Sequence, residues 1–444
     1  MDENAPECAC DFHILFLNQL RRISMVDVET QSILVVGGGM TGLTAAIEAA
    51  EAGREVYLVE KNPYLGGRVS QLHQYFPKLC PPYCGLEINF RRIKNNNRIH
   101  VLTMAQVESV SGQKGSWDAR IKIEPRYVNE KCTTCGKCAE VCSTEIDNPF
   151  NYGMDKIKAA YLPHDMAFPF RYVIDPALAK SAEGQTVKDA CPYGAIDLDM
   201  QAQTVDLKVG AVVWATGWTP YDAKRLDTLG FGAYPNVVTN VMMERLAAGN
   251  GPTKGKILRP SDGEAPKTVA FVQCAGSRDE NHLPFCSSVC CMASMKQATY
   301  VRAQYPDAKI YIFFIDIRAM DRLETFYADL KKDENVVFFK GKVAKIEQDG
   351  PTKNLVLRVE NTATGSLNTI NVDMAVLATG MQPNTSIAHQ PTFAQRDDYG
   401  FIASQEVTPG FFSAGCTRTP INVSESVQDG TAAALKAIQS IVRR

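Results

Sequence analysis

The chain has no apolar run approaching the roughly 18 residues that a membrane-spanning helix needs. It reads as soluble, with any membrane contact expected through a partner. It has no block of like charge either: 47 Lys and Arg stand against 49 Asp and Glu, and no basic cluster points to nucleic acid. Its 6 histidines are scattered, and no His/Asp or Cys/His arrangement suggests hydrolytic or acyl-transfer catalysis; His73 and His282 read as ordinary loop residues. A secretion signal is missing too. MDENAPECACDFHILFLNQLRRISM opens acidic, its apolar run (Ile14 to Leu17) is short, and it offers no small-residue cleavage site. Residues 1–30 read as a poorly ordered extension, with the biological start at Met25. In that setting 14 cysteines, falling in tight groups, point to metal clusters or redox chemistry instead of a disulfide scaffold.

What is present organises itself around Ser32 to Arg68. The apolar run Ile33 to Val36 reads as a buried parallel strand. Gly37-x-Gly39-x-x-Gly42 follows at once, then a helical pattern with Leu43, Ala46, Ile47 and Ala50 on one face, then a second strand ending in Glu60. Gly37 permits the tight turn, Gly39 lets backbone approach a pyrophosphate, and Gly42 allows close helix–strand packing. Met40 and Thr41 open the helix, whose free N–H groups and positive dipole favour phosphate. Glu60 stands where an acidic residue accepts from a ribose hydroxyl. Lys61 and the Gly66-Gly67-Arg68 loop favour FAD over NAD, because a second glycine pair with an arginine resembles the loop that closes over the flavin in two-domain flavoproteins. An ordinary βα loop is the plain alternative. Ile99 to Val110 reads as strand, turn, strand, with Val107 expected near the adenine.

The cysteines come next. In Cys80-Pro-Pro-Tyr-Cys84 the proline pair places both thiols on a loop ahead of a helix carrying Arg91, Arg92 and Lys94. They are structural thiols, a redox pair or cluster ligands. The flavin pattern is interrupted at about Pro125 by Cys132-x2-Cys135-x2-Cys138-x3-Cys142, with Cys191-Pro much later. Such spacing wraps three thiolates around an iron–sulfur cube, and a remote Cys-Pro supplies the fourth ligand. One [4Fe–4S] cluster on Cys132, Cys135, Cys138 and Cys191 is expected, with zinc as the alternative. Cys142 is left over, and Ser143 stands where a second site would have its proline.

The flavin pattern resumes at KVGAVVWATGW, whose Ala215-Thr216-Gly217 ends a strand near the cofactor; AVLATGM repeats it and ends at Gly380. Between them KTVAFVQ reads as the first strand of a second dinucleotide domain. No second GxGxxG follows it. The sequence there is CAGSRDENHLPFCSSVCCMASMKQA, with Cys274, Cys286, Cys290 and Cys291 expected to hold a second [4Fe–4S] cluster; buried helix cysteines with two loop thiols are the alternative. Near the end GFFSAG resembles the strand before a ribityl contact, with Gly415 and then Cys416 where most relatives place aspartate. An amphipathic helix over Val423 to Ile441 then points its N-terminus at the flavin ring.

Together with NYGMDKIKAAYLP, VQCAGSRD, CSSVCC and SAGC, this pattern resembles the A subunit of heterodisulfide reductase from about residue 30 onward. CPPYCGLEINFRRIK and the overall length are most similar to the A subunits of quinone-interacting membrane-bound oxidoreductases. On this resemblance the long C-terminal ferredoxin extension of the methanogen subunits is not expected. The resemblance implies an α/β flavoprotein with two dinucleotide-binding domains, like glutathione and thioredoxin reductases, and an inserted ferredoxin-like [4Fe–4S] domain. The expected division is an FAD domain in three parts (31–124, 207–265, 366–444), an insert (125–206) and a degenerate second domain (266–365). It further implies FAD, a second flavoprotein subunit of the same kind, a membrane cytochrome/iron–sulfur subunit, and electron exchange between membrane quinones and adenylylsulfate reductase. The chain would lie in the cytoplasm at the inner face of the membrane. Rival readings are an NAD(P)H-dependent disulfide reductase using Cys80/Cys84 or Cys290/Cys291, and a scaffold subunit with relic cofactor sites.

Overall fold

A computed structural model describes residues 31–386 and 391–442, so the expectations for residues 1–30 lie outside the described part. Two sheets dominate it. The first has six strands in the spatial order Glu406–Thr408, Phe411–Ser413, Ala211–Trp214, Ile33–Val36, Val56–Glu60 and Ile99–Thr103. All neighbours are parallel except the first pair. Ile33, Leu34 and Val35 are fully buried because this central strand is covered on both faces, which is why it reads as a continuous apolar run. Helix Met40–Glu51 packs on one face together with the long C-terminal helix Val423–Ile441, whose Ala433, Ala434 and Ala437 allow close approach. An antiparallel three-stranded sheet, Gln203–Val209, Ser116–Ile123 and Ala105–Gln113, covers part of the other face around Trp117.

The second sheet has seven strands, with Thr268–Ala275 between Met374–Thr379 and Lys309–Phe314. Helix Cys290–Gln304 returns across it, so strand, turn and helix repeat the order of the first domain. The domain boundaries differ from the sequence expectation. Strand Val237–Thr239, helix Asn240–Ala247 and strand Met374–Thr379 belong to this second domain, because Val237–Thr239 pairs with Ala375–Leu377 and Met374–Leu377 pairs with Val269–Val272. The two ATG strands therefore lie in different sheets. The chain crosses between domains at the antiparallel pair Trp218–Pro220 and Met381–Pro383.

The interrupting segment forms a small unit of two-stranded pairs, Glu145–Asp147 with Lys156–Lys158 and Ala160–Tyr161 with Val173–Ile174, closed by a bridge between Val128 and Ile196. Cys138 and Cys142 lie in its own core with Val187 and Ile174. Among the described residues no helix is long and apolar enough to cross a membrane.

Candidate functional site

A cavity of about 1160 Å3 lies where the two domains and the insert meet. The glycine turn forms its floor. Gly37 has φ +109°, and a Cβ there would meet the Ala215 carbonyl oxygen at 2.2 Å. A Cβ on Gly42 would meet the Gly37 carbonyl oxygen at 1.8 Å, so only glycine lets the helix start this close to its strand. Gly39 is different: its Cβ would find only the Gly67 Cα, at 3.9 Å. Space is left there for something that is not protein. Helix Met40–Glu51 has no side-chain N-cap, so its first N–H groups stay open. Met40 and Thr41 line the cavity with Gly37, Gly39, Lys61, Gly67, Arg68, Val107, Ala215, Thr216 and Gly217.

Glu60 is buried at the cavity edge. Its Oε2 accepts from the Gly38 N–H at 2.7 Å and its Oε1 from the Asn62 N–H at 2.8 Å. Burial raises its pKa against those hydrogen bonds. The carboxylate thus braces the glycine turn and keeps further lone pairs for a ligand. Arg68 donates to the Trp218 carbonyl at 3.3 Å and to Thr219 Oγ1 at 3.3 Å, holding the flavin-side loop to the interdomain strand. Cys416 lines the cavity, donates from Sγ to the Ile421 carbonyl at 3.5 Å, and has its pKa raised by burial. Gly415 does not line the cavity; it packs against Thr41, where a Cβ would meet Oγ1 at 2.2 Å. Helix Val423–Ile441 begins at the cavity with a capping box between Asn422 and Glu425. Gly380 is placed elsewhere. It follows a strand of the second sheet, and its α-carbon faces Ser277 and Ser287 instead of the cavity.

The opposite wall carries a network that the sequence pattern does not announce. Glu244 and Lys296, both nearly inaccessible to solvent, form an ion pair at 3.0 Å. Glu244 also accepts from Gln297 Nε2 at 2.7 Å, from the His73 N–H at 2.9 Å and from the Tyr300 hydroxyl at 3.3 Å. Lys296 donates to the Gln74 carbonyl as well. Buried ions persist when such extra hydrogen bonds compensate their lost hydration. The one signal in the chain is a single lysine inside the otherwise uncharged helical run CCMASMKQATYV.

One of the two expected thiol sets shares a space. Cys274, Cys286, Cys290 and Cys291 all line one small space in the second domain. Cys274 (φ +55°), Arg278 (φ +58°) and Ser288 (φ +62°) all hold left-handed backbone around it, a costly arrangement for residues with side chains. The Ser288 N–H donates to Cys286 Sγ at 3.3 Å. Burial, with the other thiols adding to it, pushes Cys290 far up and Cys291 up to about 11. In the insert, burial pushes Cys138 up to about 12, with the charges of Cys132 and Cys191 adding to it, and Tyr172 feels Cys138, Cys132 and Cys135. The Ala195 N–H donates to Cys191 Sγ at 3.3 Å. Cys142 turns away, donating to the Thr144 carbonyl at 3.5 Å. Among the described residues no three potential ligands converge tightly enough for a single metal ion. Buried Cys290 and Cys291 resist ionisation as free thiols, and a multinuclear cationic cluster would supply the positive charge that stabilises their thiolates. The set of Cys274, Cys286, Cys290 and Cys291 fits such a group.

Cys80 and Cys84 belong to neither set. Cys84 is not on a loop: helix Pro82–Lys94 begins at the second proline, a position that needs no N–H donor, so Cys84 lies in its first turn. Both thiols lie near the Tyr75 hydroxyl, whose pKa burial raises.

The fold is shared with the thioredoxin reductase of T. acidophilum, at a TM-score of 0.52 and 16% identity over 92% of this chain and 97% of that one. At that identity the likeness concerns the two-dinucleotide-domain flavoprotein fold alone. Residues 32–115 match the family model described as FAD dependent oxidoreductase. The second of two iron-sulfur A subunits of CoB–CoM heterodisulfide reductase in Methanopyrus kandleri is 38% identical over 429 residues, 94% of this chain and 65% of that protein. The A subunit of the H(2):CoB-CoM heterodisulfide,ferredoxin reductase of Methanothermobacter marburgensis is 33% identical over 458 residues, 99% of this chain and 69% of that protein. The chain spans between 54% and 69% of the length of such curated relatives. With one third of its residues identical across more than two thirds of the Methanothermobacter protein, the chain belongs to the family of heterodisulfide reductase A subunits.

Proposed function

We propose that the chain is an FAD and iron–sulfur electron-transfer subunit of a heterodisulfide-reductase-like complex. One observation carries this reading: where a second nucleotide cradle would follow strand Thr268–Ala275, four thiols surround one space instead. Helix Cys290–Gln304 has that space at its first residues, while Met292, Ala293 and Lys296 of the same helix line the flavin cavity. The two sites adjoin, with Ser288 and Arg318 lining both.

FAD, when bound, takes or gives two electrons, and iron–sulfur clusters pass them singly. The chain's own residues do the rest. The Gly37–Gly42 turn and the open helix N-terminus hold the pyrophosphate, and Glu60 takes the ribose. Lys296, fixed by Glu244, places its side chain at the cavity wall, where its positive charge would favour negative charge on a bound cofactor. Cys274, Cys286, Cys290 and Cys291 hold one cluster and Cys132, Cys135, Cys138 and Cys191 another. The finer reading places the chain beside a second protein of its own kind and a membrane cytochrome/iron–sulfur partner, at the inner face of the cytoplasmic membrane. There it exchanges electrons between quinones and adenylylsulfate reductase.

The test is an anaerobic preparation with native partners, with flavin and iron counted per chain and NADH or NADPH then added. Flavin with iron, and no bleaching by pyridine nucleotide within seconds, is expected. Flavin without iron, rapidly bleached by NADPH, would replace this reading with that of a disulfide reductase.

A further inference from the structure

The two dinucleotide domains are joined covalently only through the strand pair Trp218–Pro220 and Met381–Pro383. A pair this short leaves two domains free to reorient unless other contacts hold them. Besides the direct contacts of Glu244 with the His73 N–H and of Lys296 with the Gln74 carbonyl, a third element grips both. The side chain of Arg245, on helix Asn240–Ala247 of the second domain, is almost wholly buried, and its planar fork is divided among three partners. Nε donates to Asn151 Oδ1 of the insert at 2.8 Å, Nη1 donates to the Gln71 carbonyl of the FAD domain at 3.3 Å, and Nη2 donates to the Asn250 carbonyl of its own domain at 3.1 Å. The guanidinium also lies 4.5 Å from the centre of the Phe150 ring of the insert. Gln71 returns the contact: its Nε2 donates to the Phe150 carbonyl at 2.9 Å, and its Oε1 accepts from the Tyr152 hydroxyl at 3.1 Å. A second contact, from Asn250 Nδ2 to Asp165 Oδ1 at 2.8 Å, ties the insert to the second domain.

We propose that Arg245 and the Phe150–Tyr152 turn of the insert form a clamp that fixes the FAD-domain wall of the flavin cavity and its opposite wall, the thiol-bearing helix Cys290–Gln304, at one separation. The insert is then more than a carrier of thiols. It sets the geometry across which electrons pass, and in that respect the inference rests on the function proposed above. The geometry supports a positioning role in particular. A buried guanidinium whose partners are neutral oxygens is held by the number of its bonds, so it tolerates only one mutual arrangement of the three bodies. Arg245 and Asn151 do not line the cavity, so they act through placement and not by contact with a cofactor.

The experiment uses the full chain loaded anaerobically with FAD and iron. Asn151→Ala is compared with the unaltered protein by hydrogen exchange at residues 217–219 and 381–384, by flavin and iron content, and by the rate of flavin-to-iron electron transfer after flash reduction. Loss of a hydrogen bond to a charged group should raise exchange at the linker about tenfold. Electron transfer should slow while flavin and iron per chain stay unchanged. Linker exchange within twofold of the unaltered protein overturns the clamp, and so does a rise spread evenly over the chain. If Asn151→Ala does not fold, Asp165→Ala at the exposed second contact decides: linker exchange must rise, and an unchanged value overturns the proposal. Protein that holds flavin but no iron defeats the functional reading, while the exchange arm still judges the clamp.

Discussion

The two dinucleotide-type domains run through the same strand, turn and helix and differ in what fills the turn. In the first, Ile33–Val36 leads through the glycines of the Gly37–Gly39 turn into Met40–Glu51, and the turn is empty of side chains. In the second, Thr268–Ala275 is separated from Cys290–Gln304 by a long loop that carries Cys286 and the left-handed residues Arg278 and Ser288, with the other thiols at the ends of the strand and helix. A cradle of bare N–H groups attracts phosphate; a pocket of thiolates attracts iron. On the function proposed above, the same scaffold offers two ends of an electron path, and a lysine on the second helix lines the cavity of the first.

Four measurements would break or sharpen that contrast. The largest effect is expected from Cys290→Ser, which should remove about four irons per chain, one whole cluster, and leave flavin content unchanged; loss of both together would show that the two turns are not independent. Lys296→Met should come next. Removing one partner of a buried ion pair costs about 3–5 kcal/mol, which a denaturant melt of the apoprotein would read, and a cost near zero would mean that Glu244 is satisfied by its other donors alone.

The third tests the insert that joins the two halves. His164 stacks on Phe150 at 4.4 Å, its Nε2 has no partner, and burial lowers its pKa to about 4. An unfolded histidine takes a proton near pH 6.5, so between there and about 4 the unfolded state binds more protons and stability falls as pH falls. The loss should total about 3 kcal/mol and disappear in His164→Phe; an equal loss in both proteins would place the sensitivity elsewhere. The smallest effect separates two glycines of one turn. Gly39→Ala meets only the Gly67 Cα, at an ordinary 3.9 Å, and should leave melting unchanged, yet crowd the pyrophosphate and weaken flavin retention by about 2 kcal/mol. Gly42→Ala, forced against backbone, should lower stability first.

Much of this is legible in the chain because it is local. The Gly37–Gly42 turn, the cysteine spacings and the capped C-terminal helix depend on residues within a few positions of each other. What is not legible is nonlocal. AVLATGM repeats KVGAVVWATGW in composition, and only strand pairing shows that Met374–Thr379 joins the other sheet and carries Gly380 with it. Cys84 reads as a loop residue because two prolines precede it, although the second is well suited to a helix start.

The sequence by itself determined that this chain would build one nucleotide cradle and two thiol groups, since backbone freedom and ligand chemistry at those positions are properties of the residues themselves. Only the tertiary structure decided that Glu244 and Lys296 meet, that Arg245 touches three bodies, and that the cavity and the thiol space share one helix. Those facts arise from segments up to 222 residues apart, as between Lys296 and Gln74. Desolvation selects such pairings only once the chain has collapsed and each buried charge must find its partners.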